Sequence, residues 1–244
     1  MSAGEIRLYV DEALGAGQTV TLSRDHAHYL GNVMRRHAGD HVTLFNGRDG
    51  AFAAQIAHLS KRGGTLTVGV QTAPQKYPPD LWMLFAPIKK TRTDFIVEKA
   101  AEMGASRICP VQTEYTNSER IRQDRLQAHA VEAAEQCGGT FVPEVAVLQK
   151  LDAVLSSWPT GRRLMFCDET LAEDPSTARA LNAATRDTPW AILIGPEGGF
   201  SEAERTRLRG MSQAVSVQLG PRVLRADTAA VAALALWQSQ LGDW

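Results

Sequence analysis

Two glycine-proline turns near the C-terminus contain the residues best suited to chemistry. The first Gly-Pro turn is Gly195-Pro196-Glu197-Gly198-Gly199, and the second is Gly220-Pro221-Arg222-Val223-Leu224-Arg225. Their glycines let a ligand approach the backbone closely, because no Cβ stands in the way. The turns and the residues just after them also supply a guanidinium at Arg225 and carboxylates at Glu197 and Asp227. A guanidinium can stabilise developing negative charge, and a carboxylate can accept a proton.

Several other kinds of site are disfavoured. The chain has no Gly-x-x-x-x-Gly-Lys-Ser/Thr run and no Gly-x-Gly-x-x-Gly run, which argues against a nucleotide-dependent α/β enzyme. His26 and His28 are two residues apart and do not face each other on a helix, and no ligand spacing accompanies them, so we expect no metal. Asp168-Glu169 could bind a divalent ion or a ribose hydroxyl, but a solvated loop is the favoured interpretation.

The elements around the two turns predict how they are positioned. The apolar runs Trp190–Ile194 and Val215–Leu219 precede the turns and have the length and composition of buried strands. A capping box at Ser201–Glu204 and an Ala/Leu-rich run at Ala226–Leu241 predict a helix after each turn. We therefore expect two parallel strands to bring both turns to one edge of a sheet, where open α/β folds bind ligands.

The pattern of elements divides the chain into two predicted domains. Residues 1–72 contain strand-like runs and one short helix, which indicates a small β-barrel. Residues 73–80 form a stiff proline-rich linker, and in residues 81–244 strands alternate with helices, as in a parallel sheet wrapped by helices. The predicted barrel elements are Val20–Leu22, Asp25–Arg35 (the helix), His41–Phe45, Ala51–Ala57 and Thr65–Val70. The other elements predicted in the second domain are strands at Leu81–Ala86, Ile108–Val111 and Leu164–Cys167, and helices from Thr91 to Gly104, Arg120 to Cys137 and Asp174-Pro175 to Ala184.

Charge and composition restrict the partners and the location. The net charge is −1, so any contact with a nucleic acid would have to come from local clusters of cations such as Arg35-Arg36, Lys61-Arg62 and Lys89-Lys90-Thr91-Arg92. Cys109, Cys137 and Cys167 are scattered, which favours reduced, buried thiols. The N-terminal residues lack the features of a signal peptide and no apolar run is long enough to span a membrane, so we expect a cytoplasmic protein without a membrane partner.

Motifs along nearly the whole chain resemble the SPOUT superfamily of RNA methyltransferases, and within it the ribosomal RNA small subunit methyltransferase E family. The matching segments are Arg7–Tyr9, His28–Leu30, Val33–Arg35, Lys90-x-Arg92-x-Asp94, Lys99–Gly104, Glu135–Cys137, Val142–Glu144, Ile194–Gly199 and Leu219–Arg225. The resemblance implies a C-terminal parallel sheet tied in a trefoil knot around S-adenosylmethionine, a PUA-like N-terminal barrel and a homodimer. It also implies methylation of N3 of a uridine in bacterial 16S rRNA, on the free RNA or on the small ribosomal subunit.

The resemblance assigns roles to particular residues. The expected cofactor-binding residues are Ile194, Gly195, Pro196, Glu197, Gly198, Gly199, Leu219, Gly220, Val223, Leu224 and Arg225. The expected RNA-binding residues are Arg7, Arg35, Arg36, Lys89, Lys90 and Arg92, with Arg7 also a candidate to serve the partner subunit's site. Arg225 is expected to stabilise negative charge on the uracil oxygens, and it cannot be the base because a guanidinium stays protonated.

Several alternatives remain open from the sequence. Asp227 or Glu197 could be the general base; equally, Asp227 could cap the last helix, Glu197 could shape its own turn, and water or the substrate could take the proton. A 2′-O-ribose methyltransferase of the same superfamily is a rival function, although such relatives typically carry a serine-leucine-asparagine motif where this chain has Pro221–Arg225. A non-catalytic RNA-binding protein is the rival from another class.

Two residues depart from the family pattern. Asp227 stands where the family usually has Glu, so the carboxylate is one methylene shorter. Gly139 stands where many relatives have an arginine, which removes whatever contact that side chain makes.

Overall fold

The computed structural model describes residues 6–117, 120–171, 181 and 188–244. The chain forms two compact units, one of Met1–Tyr77 with Ala134–Val142 and the other of Pro78–Ala133 with Pro143–Trp244. The helix predicted from Asp174-Pro175 to Ala184 lies outside the described residues.

The first unit is built on a five-stranded sheet with the order β1-β3-β4-β5-β2. Its strands are β1 (Arg7–Tyr9), β2 (Thr19–Leu22), β3 (His41–Phe45), β4 (Ala51–Ser60) and β5 (Gly63–Ala73). β1 pairs with β3 in parallel, and the other pairings are antiparallel. The alternation of exposed and buried residues along β2 is typical of a strand with one face on a core.

The helical segment of the first unit is shorter and less regular than predicted. It consists of α1 (Arg24–His28), which the Ser23 hydroxyl caps by accepting from the His26 amide at 3.1 Å, and a π-helical turn over Tyr29–Val33. Arg35 has a φ of 52°, in the left-handed region, so the chain leaves the helix before the predicted end. Leu30 of the π-helical turn is fully buried in the core of this unit.

The second unit contains a seven-stranded sheet in which every pairing is parallel. Its strands are β6 (Leu81–Phe85), β7 (Arg107–Gln112), β8 (Glu144–Val145), β9 (Gln149–Lys150), β10 (Arg163–Cys167), β11 (Trp190–Ile194) and β12 (Ala214–Val217). The order is β12-β10-β11-β6-β7-β8, with β9 paired to β7. All five residues of β11 are buried, as expected for a strand covered on both faces.

Five α-helices and one short 3₁₀ helix (Glu169–Leu171) accompany this sheet among the described residues. The α-helices are α2 (Lys90–Glu102), α3 (Gln123–Cys137), α4 (Leu151–Ser156), α5 (Glu202–Arg209) and α6 (Ala226–Leu241). The predicted capping box of α5 is confirmed, because Ser201 and Glu204 bond each other's backbone amides. The predicted start of α2 at Thr91 is one residue late, because the helix begins at Lys90. The Thr93 hydroxyl bonds the backbone of Ile88 at 3.0 Å and fixes the chain entering the helix.

Helix α6 is buried on one side only. It packs against α2 and β11, with Trp237 and Gln238 buried. The Gln238 amide donates to the Met103 carbonyl at 2.6 Å, which ties α6 to the end of α2. Val231 and Leu236 on the same helix remain half-exposed. Within the described residues, no helix has the length and apolar character needed to cross a bilayer.

Candidate functional site

The two Gly-Pro turns meet at one edge of the parallel sheet. β11 and β12 both pair in parallel with β10, which lies between them, so the turns that follow them leave the sheet at the same edge. A cavity of about 250 Å³ opens there, and we call it the turn cavity. Its lining includes Cys167, Asp168, Glu169, Ile194, Gly195, Pro196, Glu197, Gly199, Val217, Leu219, Gly220, Val223, Leu224 and Arg225. The expected cofactor residues are therefore brought together, with the exception of Gly198.

Glycines make part of this lining possible. Gly220 has a φ of 115°, and a Cβ built on it would meet no protein atom within 4 Å, so a side chain there would stand in open space. Gly199 has a φ of 72°, and a Cβ on it would lie 2.2 Å from Glu169 Oε1. Both positions need a left-handed backbone that glycine adopts without strain. The turns thus present bare backbone where other residues would present side chains.

Gly198 lies against a different neighbour. A Cβ on Gly198 would be 3.2 Å from the Cβ of Tyr115, and Gly198 does not line the turn cavity. Tyr115 follows strand β7 and is 46% exposed. Gly198 thus lets the first turn pack on the segment after β7.

Arg92 connects the two candidate bases. Its Nη1 lies 2.8 Å from Glu197 Oε1, and its Nε lies 3.6 Å from Asp227 Oδ2. The sequence placed Arg92 with Lys89 and Lys90 in an RNA-binding cluster, but only these two lysines, at the start of α2, are exposed. Arg92 therefore acts as a bridge from α2 to the first turn and to the start of α6.

Arg225 stands at the N-cap position of α6 and lines the turn cavity. It caps the helix through its backbone geometry alone, with φ −66° and ψ 151°, and its side chain makes no capping bond. Asp227 lies in the first turn of α6, where its Oδ1 accepts from the Thr228 amide at 2.9 Å. A carboxylate at that place interacts favourably with the helix dipole.

An ionic network that the sequence analysis did not anticipate lies at the end of β10. The Asp168 side chain is 0% exposed and accepts from Arg209 Nε at 2.9 Å and from the Thr170 hydroxyl at 2.7 Å. Glu169 accepts from Arg205 Nη2 at 2.8 Å. The expectation of a solvated loop is therefore wrong for Asp168. Arg205 and Arg209 sit on one face of α5, and this spacing is the only signal that the sequence carried.

Protonation in this part of the site follows from burial and pairing. The hydrogen bond that Arg205 donates to Glu169, with smaller contributions from the charges of nearby carboxylates, raises the pKa of the Arg205 guanidinium. Burial, reinforced by the charge of Asp168, raises the pKa of the Cys167 thiol, so this part of the cavity wall is a neutral thiol at physiological pH. The described residues contain no group of three or more His, Cys, Asp or Glu side chains placed to hold a metal ion.

The remaining expected RNA-binding residues lie in the first unit. Arg7 Nη2 donates to the Gly139 carbonyl at 2.6 Å, and its guanidinium carbon lies 5.0 Å from the centre of the Phe45 ring. Gly139, which departs from the family pattern, therefore accepts a hydrogen bond from Arg7 through its backbone carbonyl. Arg35 is exposed and Arg36 is half-buried, on the segment that follows the π-helical turn.

Comparison with known proteins agrees with this architecture. The sequence profile of the RNA methyltransferase domain matches residues 75–238, and that of the RNA methyltransferase PUA domain matches residues 22–69. A ribosomal RNA small subunit methyltransferase E from Rickettsia conorii is 29% identical over 94% of this chain and 93% of its own length.

Two solved structures resemble nearly the whole chain. A putative methyltransferase from Legionella pneumophila with bound S-adenosylmethionine has a TM-score of 0.87 and 28% identity, covering 98% of this chain and 99% of its own. A ribosomal RNA small subunit methyltransferase E from Neisseria gonorrhoeae bound to S-adenosylmethionine has a TM-score of 0.85 and 28% identity, again covering 98% and 99%. Because the RNA methyltransferase profile matches well over half of the chain and contains both Gly-Pro turns, the chain belongs to the RNA methyltransferase family.

Proposed function

We propose that this protein uses S-adenosylmethionine to methylate N3 of a uridine in the 16S rRNA of the small ribosomal subunit. The observation that carries the proposal is the turn cavity, in which two Gly-Pro turns from parallel strands form one site. Relatives with the name ribosomal RNA small subunit methyltransferase E, and solved neighbours with bound S-adenosylmethionine, support the choice of substrate and cofactor.

The residues around the turn cavity fit an adenosyl cofactor. Leu219, Val223 and Leu224 offer apolar walls for a flat base, and Gly220 leaves room where a side chain would intrude. Backbone amides and carbonyls of both turns are available to a base and a ribose. S-adenosylmethionine supplies a methyl group on a sulfonium. The chain's part is then to hold the acceptor in line with that group, since alignment removes much of the entropic barrier.

Arg225 is the proposed stabiliser of negative charge. Uridine N3 carries a proton at neutral pH and lies on the Watson–Crick edge, so the base has to leave its pair or stack before reacting. Loss of the proton spreads negative charge onto the two carbonyl oxygens of the ring. Arg225 lines the turn cavity, and its guanidinium can offer a planar set of donors to those oxygens.

Asp227 is the proposed proton acceptor, with Glu197 as the alternative. Glu197 forms a direct 2.8 Å ion pair with Arg92 and would lose it on taking a proton. Asp227 Oδ2 is 3.6 Å from Arg92 Nε, beyond hydrogen-bond distance, while its other oxygen is held by the Thr228 amide. The Thr228 amide thus fixes the orientation of the Asp227 carboxylate, while Oδ2 makes no hydrogen bond to Arg92 and can accept a proton more readily than Glu197 can.

The finer features of the architecture belong to the same proposal. They are a trefoil knot in the C-terminal sheet, a PUA-like barrel at 1–72, a linker at 73–80 and a methyltransferase domain at 81–244. The homodimer is supported by half-exposed Val231 and Leu236 on α6 and by Val223, which is 75% exposed beside the turn cavity.

Primer extension on 16S rRNA tests the proposed function. A methyl group on N3 removes the donor of the Watson–Crick edge, so reverse transcriptase should stop at one uridine. The purified protein with S-adenosylmethionine should create this stop on small subunits or on free 16S rRNA from a deletion strain, and omission of S-adenosylmethionine is the control. Resistance of the product to alkaline cleavage, which marks a 2′-O-methyl group, or RNA binding without methylation, would contradict the assignment.

A further inference from the structure

An exposed tyrosine lies beside the first Gly-Pro turn. A Cβ built on Gly198 would be 3.2 Å from the Cβ of Tyr115 and 3.8 and 3.9 Å from its Cγ and Cδ2, so the Tyr115 side chain packs directly on this turn. Glu197, the residue before Gly198, lines the turn cavity. Tyr115 is therefore one residue away, along the turn, from the lining of the cavity.

The parallel sheet brings Tyr115 to this edge. Strand β6 pairs in parallel with β11 on one side and with β7 on the other, so the segments after all three strands leave the sheet at the same edge. The segment after β6 leads into α2 and carries the exposed Lys89 and Lys90, and the segment after β7 carries Tyr115. This edge of the second unit thus combines two cations with an exposed aromatic side chain.

Tyr115 is held on a tight turn formed by residues 113–116. The Thr113 amide donates to the Thr116 hydroxyl at 2.9 Å, the two hydroxyl oxygens are 2.9 Å apart, and the Thr116 amide donates to the Thr113 carbonyl at 3.2 Å. Both threonines are buried, whereas Tyr115 between them is 46% exposed. Because the turn is already fixed, a ligand that contacts Tyr115 does not have to order this part of the backbone.

The capping box of α5 fixes the same turn. The Glu204 carboxylate accepts from the Ser201 amide through Oε2 and from the Glu114 amide through Oε1, both at 2.9 Å. Glu204 thus joins the start of α5, which follows the first Gly-Pro turn, to the residue before Tyr115. Two independent contacts, this carboxylate and the packing on Gly198, hold Tyr115 beside the first Gly-Pro turn.

The Tyr115 side chain has no hydrogen bond, cation or aromatic ring as a partner within the part of the chain that the structure describes. Other exposed aromatic side chains have one. The Lys99 ammonium lies 5.5 Å from the centre of the Phe95 ring, and Tyr77 packs edge-on against Phe141. An exposed aromatic side chain without such a partner is suited to stack on the face of a nucleic-acid base.

We propose that Tyr115 stacks on the target uracil once it has left its pair or stack, and so holds the base at the turn cavity while N3 is methylated. The inference rests on the proposed function, because it takes a uridine as the methyl acceptor. An extruded base loses the stacking energy of its neighbours, and an aromatic side chain restores part of it. In the proposed chemistry Arg225 and Asp227 act on atoms at the edge of the uracil ring, so its faces are available to Tyr115.

Four variants test the stacking role. Tyr115→Phe and Tyr115→Trp keep an aromatic face, whereas Tyr115→Leu keeps the Cβ and Cγ that pack on Gly198 and removes the ring. Trp244→Leu is the matched control, because it removes an exposed aromatic side chain that follows the end of α6 opposite to Arg225. Methyl transfer is measured in single turnovers on the RNA that the wild type methylates, at saturating RNA and S-adenosylmethionine.

Tyr115→Leu should methylate about tenfold to a hundredfold more slowly, which is the range for loss of one base–aromatic stack. Tyr115→Phe, Tyr115→Trp and Trp244→Leu should stay within about threefold of the wild type, because each keeps an aromatic face at position 115. The RNA affinity of Tyr115→Leu in filter binding should change much less than its rate, because phosphate contacts carry most of that affinity. S-adenosylmethionine binding in calorimetry and the circular dichroism spectrum should match those of the wild type.

Four results would overturn the stacking role. Equal rates for Tyr115→Leu and Tyr115→Phe, whether both are normal or both are slow, would show that the aromatic face is not what matters. A weaker RNA affinity with an unchanged rate would make Tyr115 an ordinary RNA contact. Loss of S-adenosylmethionine binding in Tyr115→Leu would make it a support of the cofactor site, and a changed sedimentation coefficient would make it part of a subunit interface. Failure of the wild type to methylate RNA would instead reject the proposed function.

Discussion

Arg225 joins the turn cavity to the first residue of α6, and its chemistry is specific to a guanidinium. In Arg225→Lys the positive charge remains but the planar set of donors is lost. We expect S-adenosylmethionine binding and RNA affinity close to wild type, with kcat lowered by about 10²–10³-fold, as for loss of a donor to a developing oxyanion. Single-turnover kinetics with saturating RNA measure this. Equal turnover in the two proteins would remove Arg225 from the chemistry.

Asp227→Asn distinguishes a base from a structural residue. Asparagine keeps the size of the side chain and can still accept from the Thr228 amide, so the start of α6 should be preserved. If Asp227 accepts the N3 proton, the variant should bind both ligands yet turn over slowly. Part of the activity should return as the pH rises, because uridine then loses its proton unaided. Parallel pH–rate profiles for the two proteins would contradict the base role.

Arg92 has two possible roles that kinetics can separate. An RNA contact predicts that Arg92→Lys raises KM for RNA and leaves kcat unchanged. The observed bridge to Glu197 and Asp227 predicts the reverse, because one ammonium cannot hold both carboxylates in the same geometry. We expect kcat to fall and the pH–rate profile to shift. Lys89→Gln, which removes an exposed cation just before α2, is the matched control and should act on KM alone.

At the scale of elements, the Asp168–Arg209 pair fastens α5 to the end of β10. Asp168→Ala leaves the guanidinium without its acceptor, and since Arg209 is 43% exposed and can be rehydrated, we expect a loss of about 2 kcal/mol in the free energy of unfolding. Asp152→Ala is the matched control. It breaks the exposed pair with Arg207 from α4 to α5 and should cost about 0–1 kcal/mol. Urea denaturation measures both, and equal effects would mean that burial of the first pair contributes nothing.

Local signals decided which elements could be predicted. Strand β11 and helix α6 have the predicted bounds, because each is a continuous apolar run with a clear turn or cap beside it. β8 and β9 were missed since two residues each carry no periodicity, and they exist through pairing with β7. Helix α4 was also missed, because six residues show too little of a helical repeat.

Local signals also decided which residues of the candidate site could be predicted. The residues of the two Gly-Pro turns could be predicted because glycine and proline fix backbone geometry locally. The bridge from Arg92 to Glu197 could not, since 105 residues separate them and any of several cations could have taken that place. The burial of Asp168 could not be predicted either, because the sequence just after a strand does not show whether solvent or another element, here α5, covers it. Packing between elements decided both.

At the scale of the whole molecule, the thiols should make stability depend on pH at the alkaline end. Burial raises the pKa of Cys109 to about 11 from an ordinary 9.0, and Cys167 is shifted in the same direction. The folded state therefore keeps both thiols protonated while the unfolded chain loses those protons, so stability is intact below pH 9 and falls as the pH rises towards 11.

Urea denaturation between pH 8 and pH 11 measures this loss. Cys109→Ala should flatten the pH dependence, although the smaller side chain lowers stability at every pH. Cys137 is exposed, contrary to the expectation of three buried thiols, so Cys137→Ala is the matched control and should leave the slope unchanged. Equal slopes in wild type and Cys109→Ala would show that this thiol does not contribute.

The spread of the turn cavity over distant parts of the sequence has a consequence for synthesis of the chain. The turn cavity needs the end of β10, the turn after β11, the turn after β12 and the start of α6, which span residues 167–229. The five strands of the first sheet end at Ala73. A chain emerging from the ribosome therefore has all strands of its first sheet long before its turn cavity, and a product that stops before Ala214 lacks β12, the second turn and α6. Such a truncated chain keeps only part of the cavity wall, so full-length synthesis is a condition for forming the turn cavity.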